Sequence, residues 1–339
     1  MLTFLLAAAN VMIAPVPPGA TFGNWTVACD NGRHCEAIGL PGADGTETEW
    51  VLYMSRAGGG AASPKITLTP GFESSASGIV HLRIDGKDTN FRFDENGESV
   101  GTTAGLLRAV AGGRKVEVVN LANARVGVVP VAGASAALRW VDDRQKRVGT
   151  VTAIVAKGAA PASSVPPPPP LPRIAQPPAS NAPARKLRPT DVTAIKALGT
   201  DYCDDDVKEV ETHRLDAKHS VGIVGCMMGA YQGASLVVVI DESGRWAPAS
   251  IEQPRQPDGE ADAVDSYLLT EAEYDPASRL LSMHAKGRGL ADCGESATWA
   301  WDGKMFRLAS FQALDACLGA PPGTWLSRWQ TANDPLKDE

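Results

Sequence analysis

Residues 161–189, PASSVPPPPPLPRIAQPPASNAPARKLRP, hold eleven prolines and neither an aromatic nor an acidic residue. Proline lacks an N–H and fixes φ, so this run can join neither a helix interior nor a sheet ladder. It divides the 339-residue chain into two regions, 21–158 and 190–332, each long enough to bury its own core. The intervening segment, 159–189, is expected to be extended polyproline II and to act as a semi-rigid spacer. At about 3.1 Å per residue it could reach roughly 90 Å. The other reading, a ligand for a proline-binding module, stays open.

Cysteine usage constrains the compartment. Cys29 and Cys35 lie in the first region, and Cys203, Cys226, Cys293 and Cys317 in the second. The chain begins MLTFLLAAANVMIA, an apolar run too short to span a bilayer, which takes about 20 residues. It reads as a signal peptide over residues 1–20, although no Lys or Arg precedes it and Pro18 sits awkwardly before the best cut, after Ala20. An even cysteine count behind such a segment points to disulfides in an oxidising compartment, with no membrane span left after cleavage. Local bonds are preferred: Cys29 with Cys35, and in the second region the similar spacings of Cys203 to Cys226 and Cys293 to Cys317.

Both regions read mainly as strands. In TETEWVLYMS, Trp50, Leu52 and Met54 share one face and Val51 and Tyr53 the other. IVHLRIDGKDTNFRF carries Asp85-Gly86 between alternating runs, a tight-hairpin signal. KVEVVNLANARVGVVPV supplies two more strands. Two short helices interrupt them. TTAGLLRAVAGG is expected to end on a left-handed Gly112. SAALRWVDDRQKRVG has Ala137, Leu138 and Val141 on its inner face, an exposed charged end at 142–147, and Gly149 following. The second region opens with a helix, PTDVTAIKALG, capped by Thr190, with Val192, Ile195 and Leu198 inward and Gly199 as its stop. Strand-like runs follow, with an internal echo between GRWAPASIE (244–252) and GKMFRLASFQ (303–312). The expected class is mainly β with a few short helices (α+β): two antiparallel β-rich domains, a proline-rich connection, and a tail at 333–339.

Chemistry is harder to place. Cys29 and Cys35 enclose DNGRH, where Asn31-Gly32 can turn the chain, so a structural staple worth roughly 2 kcal/mol is expected. The alternative is a redox dithiol tuned by Arg33 and His34, though redox pairs favour C-x-x-C at a helix start. No Cys lies two to four residues from another, as zinc sites prefer, and His213 and His219 share no obvious face. The acidic turns DYCDDDVKE (201–209) and DENGE (94–98) lack the alternating ligands of a calcium loop. Nucleophile-elbow, zinc-protease and phosphate-loop signatures are missing. No catalytic residue, cofactor or metal is assigned.

Net charge is −7, but residues 190–339 hold 13 Lys/Arg against 25 Asp/Glu. That balance argues against nucleic acid and favours neutral or basic partners. Five of the eight tryptophans lie there, at 246, 299, 301, 325 and 329. Core packing accounts for them, or they line a groove for sugar or peptide. The candidate binding surface is Asp204, Asp205 and Asp206 with Trp299, Trp301 and Trp325.

Four segments together carry a family resemblance: FGNWTVACDNGRHCEA (22–37), GASAALRWVDDRQKRVGTVTAIVAKG (133–158), CMMGAYQ (226–232), and KGRGLADCGESATWAWDGKMFRLASFQ…CLG (286–319). The chain resembles secreted bacterial envelope proteins grouped as a domain of unknown function (number eleven seventy-six). Its first half is also similar to the invasion-associated locus B family of periplasmic β-proteins. The resemblance implies periplasm, β-rich domains and disulfides, and no reaction. CMMGAYQ departs from a more polar, Gly-rich pattern, often ending in Asn. The expected function is non-enzymatic binding of an envelope protein or cell-wall component. One specific version is an inhibitor of a basic muramidase, offering Asp204–Asp206 to a positive cleft. A thiol-redox helper or a cell-wall-active enzyme is the alternative.

Overall fold

Among the described residues, alternating apolar positions assemble, in a computed structural model, into four five-stranded antiparallel sheets. The structure describes residues 14–42, 50–71, 78–100, 105–199, 201, 203–254 and 266–334. The signal-peptide core at 1–13 and tail residues 335–339 lie outside the described residues.

The first sheet is a meander of β1 (Ala20–Phe22), β2 (Trp25–Cys29), β3 (Cys35–Gly39), β4 (Trp50–Arg56) and β5 (Lys65–Pro70). The second comprises β6 (Val80–Ile84), β7 (Lys87–Phe93), β8 (Ser99–Val100), β9 (Val116–Asn120) and β10 (Arg125–Val129), in the order β10-β9-β6-β7-β8. Asp85 and Gly86 join β6 to β7 with φ of 49° and 78°, the two left-handed residues that a tight hairpin turn requires. Trp50, Leu52 and Met54 point into a core shared with Leu82, Phe93 and Val118 of the second sheet. Helices α1 (Leu106–Gly112) and α2 (Ala134–Arg144) close that core, and Ala137, Leu138 and Val141 are the buried face of α2, as expected. The end of α1 differs from expectation. The chain leaves it through Gly113 in extended backbone, and the left-handed glycine is Gly105 at its start.

The exposed charged end expected at 142–147 also needs correction. Asp142, Gln145 and Arg147 are fully buried, interleaved with exposed Asp143, Arg144 and Lys146. Asp142 accepts N–H bonds from Ile154 (2.7 Å), Val155 (2.8 Å) and Ala156 (3.0 Å), and pairs with Arg56 at 3.3 Å. Gln145 accepts from Arg56 Nε at 2.6 Å and donates to the carbonyls of Arg33, Arg56 and Ala57. A charged helix end thus turns inward to satisfy loop backbone that has no ladder partner.

In the second half, α3 (Pro189–Lys196) precedes β11 (Val210–Arg214), β12 (His219–Met228), β13 (Gly233–Asp241), β14 (Trp246–Pro248) and β15 (Leu268–Thr270), which pairs with β13. Arg188, not Thr190, caps α3: its N–H donates to Asp191 Oδ2 at 2.9 Å. Ile195 is buried, whereas Leu198 is exposed. The last sheet runs β16 (Glu273–Asp275), β17 (Leu280–Lys286), β18 (Gly294–Trp301), β19 (Phe306–Leu314) and β20 (Leu326–Gln330). Val221, Leu236 and Ile240 pack there against Leu281, Trp299, Trp301 and Phe306. Ala14 and Val16 lie against this same core.

The two halves touch. Ile38, Leu40 and Val51, on the other face of the first sheet, join Leu314, Ala320, Trp325 and Leu326 in an apolar seam. The proline-rich segment does not hold the halves apart. It runs along both: Arg33 donates to Pro167 O, Ala332 N–H to Pro172 O, and Ile174 and Asn333 exchange hydrogen bonds. Farther on, Arg279 donates to Pro177 O and Arg185 N–H to Ser220 Oγ. Past a short turn at 161–165, where Ser164 and Val165 N–H donate to Pro161 and Ala162 O, extended backbone leaves the carbonyls available to donors from both halves.

Candidate functional site

The disulfide Cys29–Cys35 bridges the last residue of β2 and the first of β3. Within the closed loop, Asp30 Oδ1 accepts the N–H groups of Gly32 (2.8 Å) and His34 (2.9 Å), folding DNGRH back on itself. The folded loop is presented to β20. Asn31 Nδ2 donates to Gln330 O at 3.0 Å, and Gln330 N–H returns a bond to Asn31 Oδ1 at 2.9 Å. Gln330 Nε2 also donates to Asp30 Oδ2. Burial raises the Asp30 pKa, against the smaller opposing effect of His34. The staple therefore shapes a docking knob between the halves.

Next along β3, Glu36 is 7% exposed and holds a bond from each side. Tyr53 O–H donates to its Oε1, and Ser327 N–H, from the other half, donates to its Oε2. His34 Nε2 lies 3.5 Å from Glu36 Oε1. These groups floor a cleft of about 760 Å³ between the halves. One wall is Tyr53, Ser55, Thr67 and Glu98; the other is Gln312, Trp325, Gln330 and Asp334 with the loop Pro321–Thr324. Asp334 is held by Thr298 Oγ1 (2.6 Å) and Ser310 Oγ (3.0 Å). Behind Trp325, His284 stacks at 4.3 Å, and burial lowers its pKa. The cleft's described lining includes the carboxylates Glu36, Glu98 and Asp334, one histidine, and neither Lys nor Arg. Such a lining suits a cation.

The six cysteines pair as the spacing suggests: Cys29–Cys35, Cys203–Cys226 and Cys293–Cys317. The candidate surface does not assemble, because its acids and tryptophans are in different environments. Asp204, Asp205 and Asp206 are exposed, but Lys196 Nζ binds the carbonyls of Asp204 and Val207, and Lys208 Nζ that of Asp205. Trp299, Trp301 and Trp325 are 1%, 3% and 4% exposed, so they are core residues; Trp325 and Trp301 each border a different hollow, and the three do not line one groove together. Asp204 joins the Cys226 end of β12, while Trp301 donates to Asp216 beside His219 at the opposite end. Seven residues of strand put these ends roughly 20 Å apart.

Glu36, Gln330 and Asp334 escaped sequence reasoning, which read Tyr53 only as a strand-face residue and Glu98 only as part of an acidic turn. A signal for Glu36 did exist: in CEAIGL it shares a strand face with Ile38 and Leu40, an acid on an apolar stripe. Its partner Ser327 lies 291 positions away, beyond any local pattern. Among the described residues, no group of three or more His, Cys, Asp or Glu is arranged to hold a metal ion. No described helix is long and apolar enough to cross a membrane.

Fold and cleft together define a disulfide-clipped β protein whose two halves close on a carboxylate-lined junction. The chain belongs to the family described as Protein of unknown function (DUF1176), whose model matches residues 20–332. It is 27% identical over 357 residues to the Uncharacterized protein YpfG of Escherichia coli (strain K12), covering 98% of each chain. The crystal structure of invasion associated protein b from Bartonella henselae matches 38% of this chain and 99% of its own, at 19% identity and a TM-score of 0.28.

Proposed function

We propose that this protein is a non-enzymatic binding protein of the bacterial periplasm, and that it takes a cationic ligand in the cleft between its halves. The carrying observation is the orientation of carboxylates before any ligand arrives: Glu36 is held by Tyr53 and Ser327, and Asp334 by Thr298 and Ser310. Preset acceptors lower the ordering cost of binding and favour an ammonium or guanidinium group. The ligand class is a basic segment of an envelope partner, of which a basic muramidase is one example. Three disulfides and the absence of a membrane-crossing helix among the described residues are compatible with this compartment.

A thiol-redox role fits less well. Cys29 and Cys35 are 5% and 0% exposed, and exchange requires a thiolate to reach a sulfur. The test is calorimetric titration of the oxidised full chain with an Arg/Lys-rich peptide at low salt. Binding should be saturable, weaken with salt, and fall about tenfold in Glu36→Gln/Glu98→Gln. Equal affinity in wild type and variant would remove the cleft as the site. Undiminished lysozyme activity under a large excess of the protein would remove the muramidase version.

A further inference from the structure

Away from that cleft, the sheet β11–β15 carries two adjoining hollows of about 520 and 450 Å³, which share Arg245 and Trp246. The first is also lined by Lys186 and Arg188, the second by His219, Trp301 and Lys304. The charge here runs opposite to that of the surrounding half. Four cations (Lys186, Arg188, Arg245, Lys304) face two carboxylates (Asp191, Asp241), whereas residues 190–339 as a whole are strongly acidic. Arg188 pairs with Asp191 at 2.7 Å and Arg245 with Asp241 at 2.8 Å. Lys186 and Lys304 are exposed and have no ion-pair partner among the described residues.

The hollows also present an aromatic surface and an oriented ring nitrogen. Trp246 is half-buried between them, and Trp301 contributes its edge from the core. His219 Nδ1 lies 3.0 Å from both oxygens of buried Asp216, which also accepts the Trp301 indole N–H at 2.8 Å and the N–H groups of Lys218 and His219. A carboxylate on Nδ1 favours a proton on that nitrogen, and in the neutral ring Nε2 is then the acceptor. That nitrogen has no partner among the described residues.

We propose that this groove binds an anionic saccharide, a sugar chain bearing carboxylates. The Trp246 indole offers a flat apolar face to the C–H side of a pyranose, while His219 Nε2 accepts a sugar hydroxyl. Lys186 and Lys304 meet the carboxylates. An acidic peptide would use the lysines and leave the indole and imidazole idle, which is why a sugar is favoured. The site is separate from the cationic-ligand cleft, and either assignment can fail without the other.

The experiment is calorimetric titration of the full chain, disulfides intact, with tri-galacturonic acid, maltotriose and tri-glutamate at low salt. The uronide should bind, maltotriose should bind more weakly, and tri-glutamate should give no saturable heat. Lys186→Gln and Lys304→Gln, both at exposed positions, should each weaken uronide binding roughly threefold. Trp246→Ala should weaken it about tenfold, provided circular dichroism shows the fold retained. Tri-glutamate binding as tightly as the uronide would reduce the groove to a plain anion surface and overturn the saccharide assignment. Absence of uronide binding, or lysine variants that leave it unchanged, would overturn the site itself.

Discussion

Replacing Asp142 with alanine removes the acceptor on which the first half's buried polar network converges. Three backbone N–H groups, those of Ile154, Val155 and Ala156, lose their partner, and Arg56 loses its counter-ion 3.3 Å away. Arg56 is 3% exposed; burial, with Arg147 close by, lowers its pKa to about 10, so it remains charged at neutral pH. Breaking one side of a buried pair costs about 3–5 kcal/mol, and each orphaned N–H about 1–3 kcal/mol before relaxation. These terms overlap, because water can enter the space left behind, so about 4 kcal/mol is expected in all. That loss corresponds to a fall in Tm of roughly 10 °C or more. Urea unfolding followed by circular dichroism would measure it, with Arg56→Met and the double variant alongside. Removing Arg56 as well should recover about 1–3 kcal/mol relative to Asp142→Ala alone, because no uncompensated charge then remains. Asp142→Ala within about 1 kcal/mol of wild type, or strict additivity in the double variant, would refute the network's role.

Three further outcomes follow from the geometry. Loop entropy makes loss of Cys29–Cys35 worth roughly 2 kcal/mol and loss of Cys203–Cys226 roughly 3.5 kcal/mol, measurable by denaturant midpoints of paired Cys→Ala variants. In graded glutathione buffers, Cys203–Cys226 and Cys293–Cys317, each with one half-buried sulfur-bearing residue, should be trapped before the fully buried Cys29–Cys35; the reverse order would revive an exchange role. The Arg188 hydrogen bond pulls Asp191 down to about 2 from 3.8, so its contribution is present above about pH 4 and is lost as pH falls toward about 2. Arg188→Ala should flatten that part of the stability profile, and an unchanged slope would contradict the assignment. Asp30 is shifted the other way, raised by burial, so its ionised form weighs against the fold at neutral pH.

What the chain alone determined is what neighbouring residues decide. Asp85-Gly86 dictates a turn because both positions need left-handed backbone, and the alternation of Trp50, Leu52 and Met54 follows from the two-residue pleat. The similar cysteine spacings anticipated one local disulfide in each sheet of the second half, and α2 displays the face its periodicity predicts. Tertiary structure decided what lies against those faces. A strand pattern tells which side chains share a side, but both sides of β3 and β4 are covered, one by the first core and one by the seam with the second half. Glu36 became a cleft residue only because Ser327, from the far end of the chain, supplies its N–H. The proline run was bound to be extended, since proline excludes helix and ladder; that it lies along both halves was settled by Arg33 in the first and Asn333, Arg279 and Ser220 in the second, donors and acceptors that no local propensity encodes.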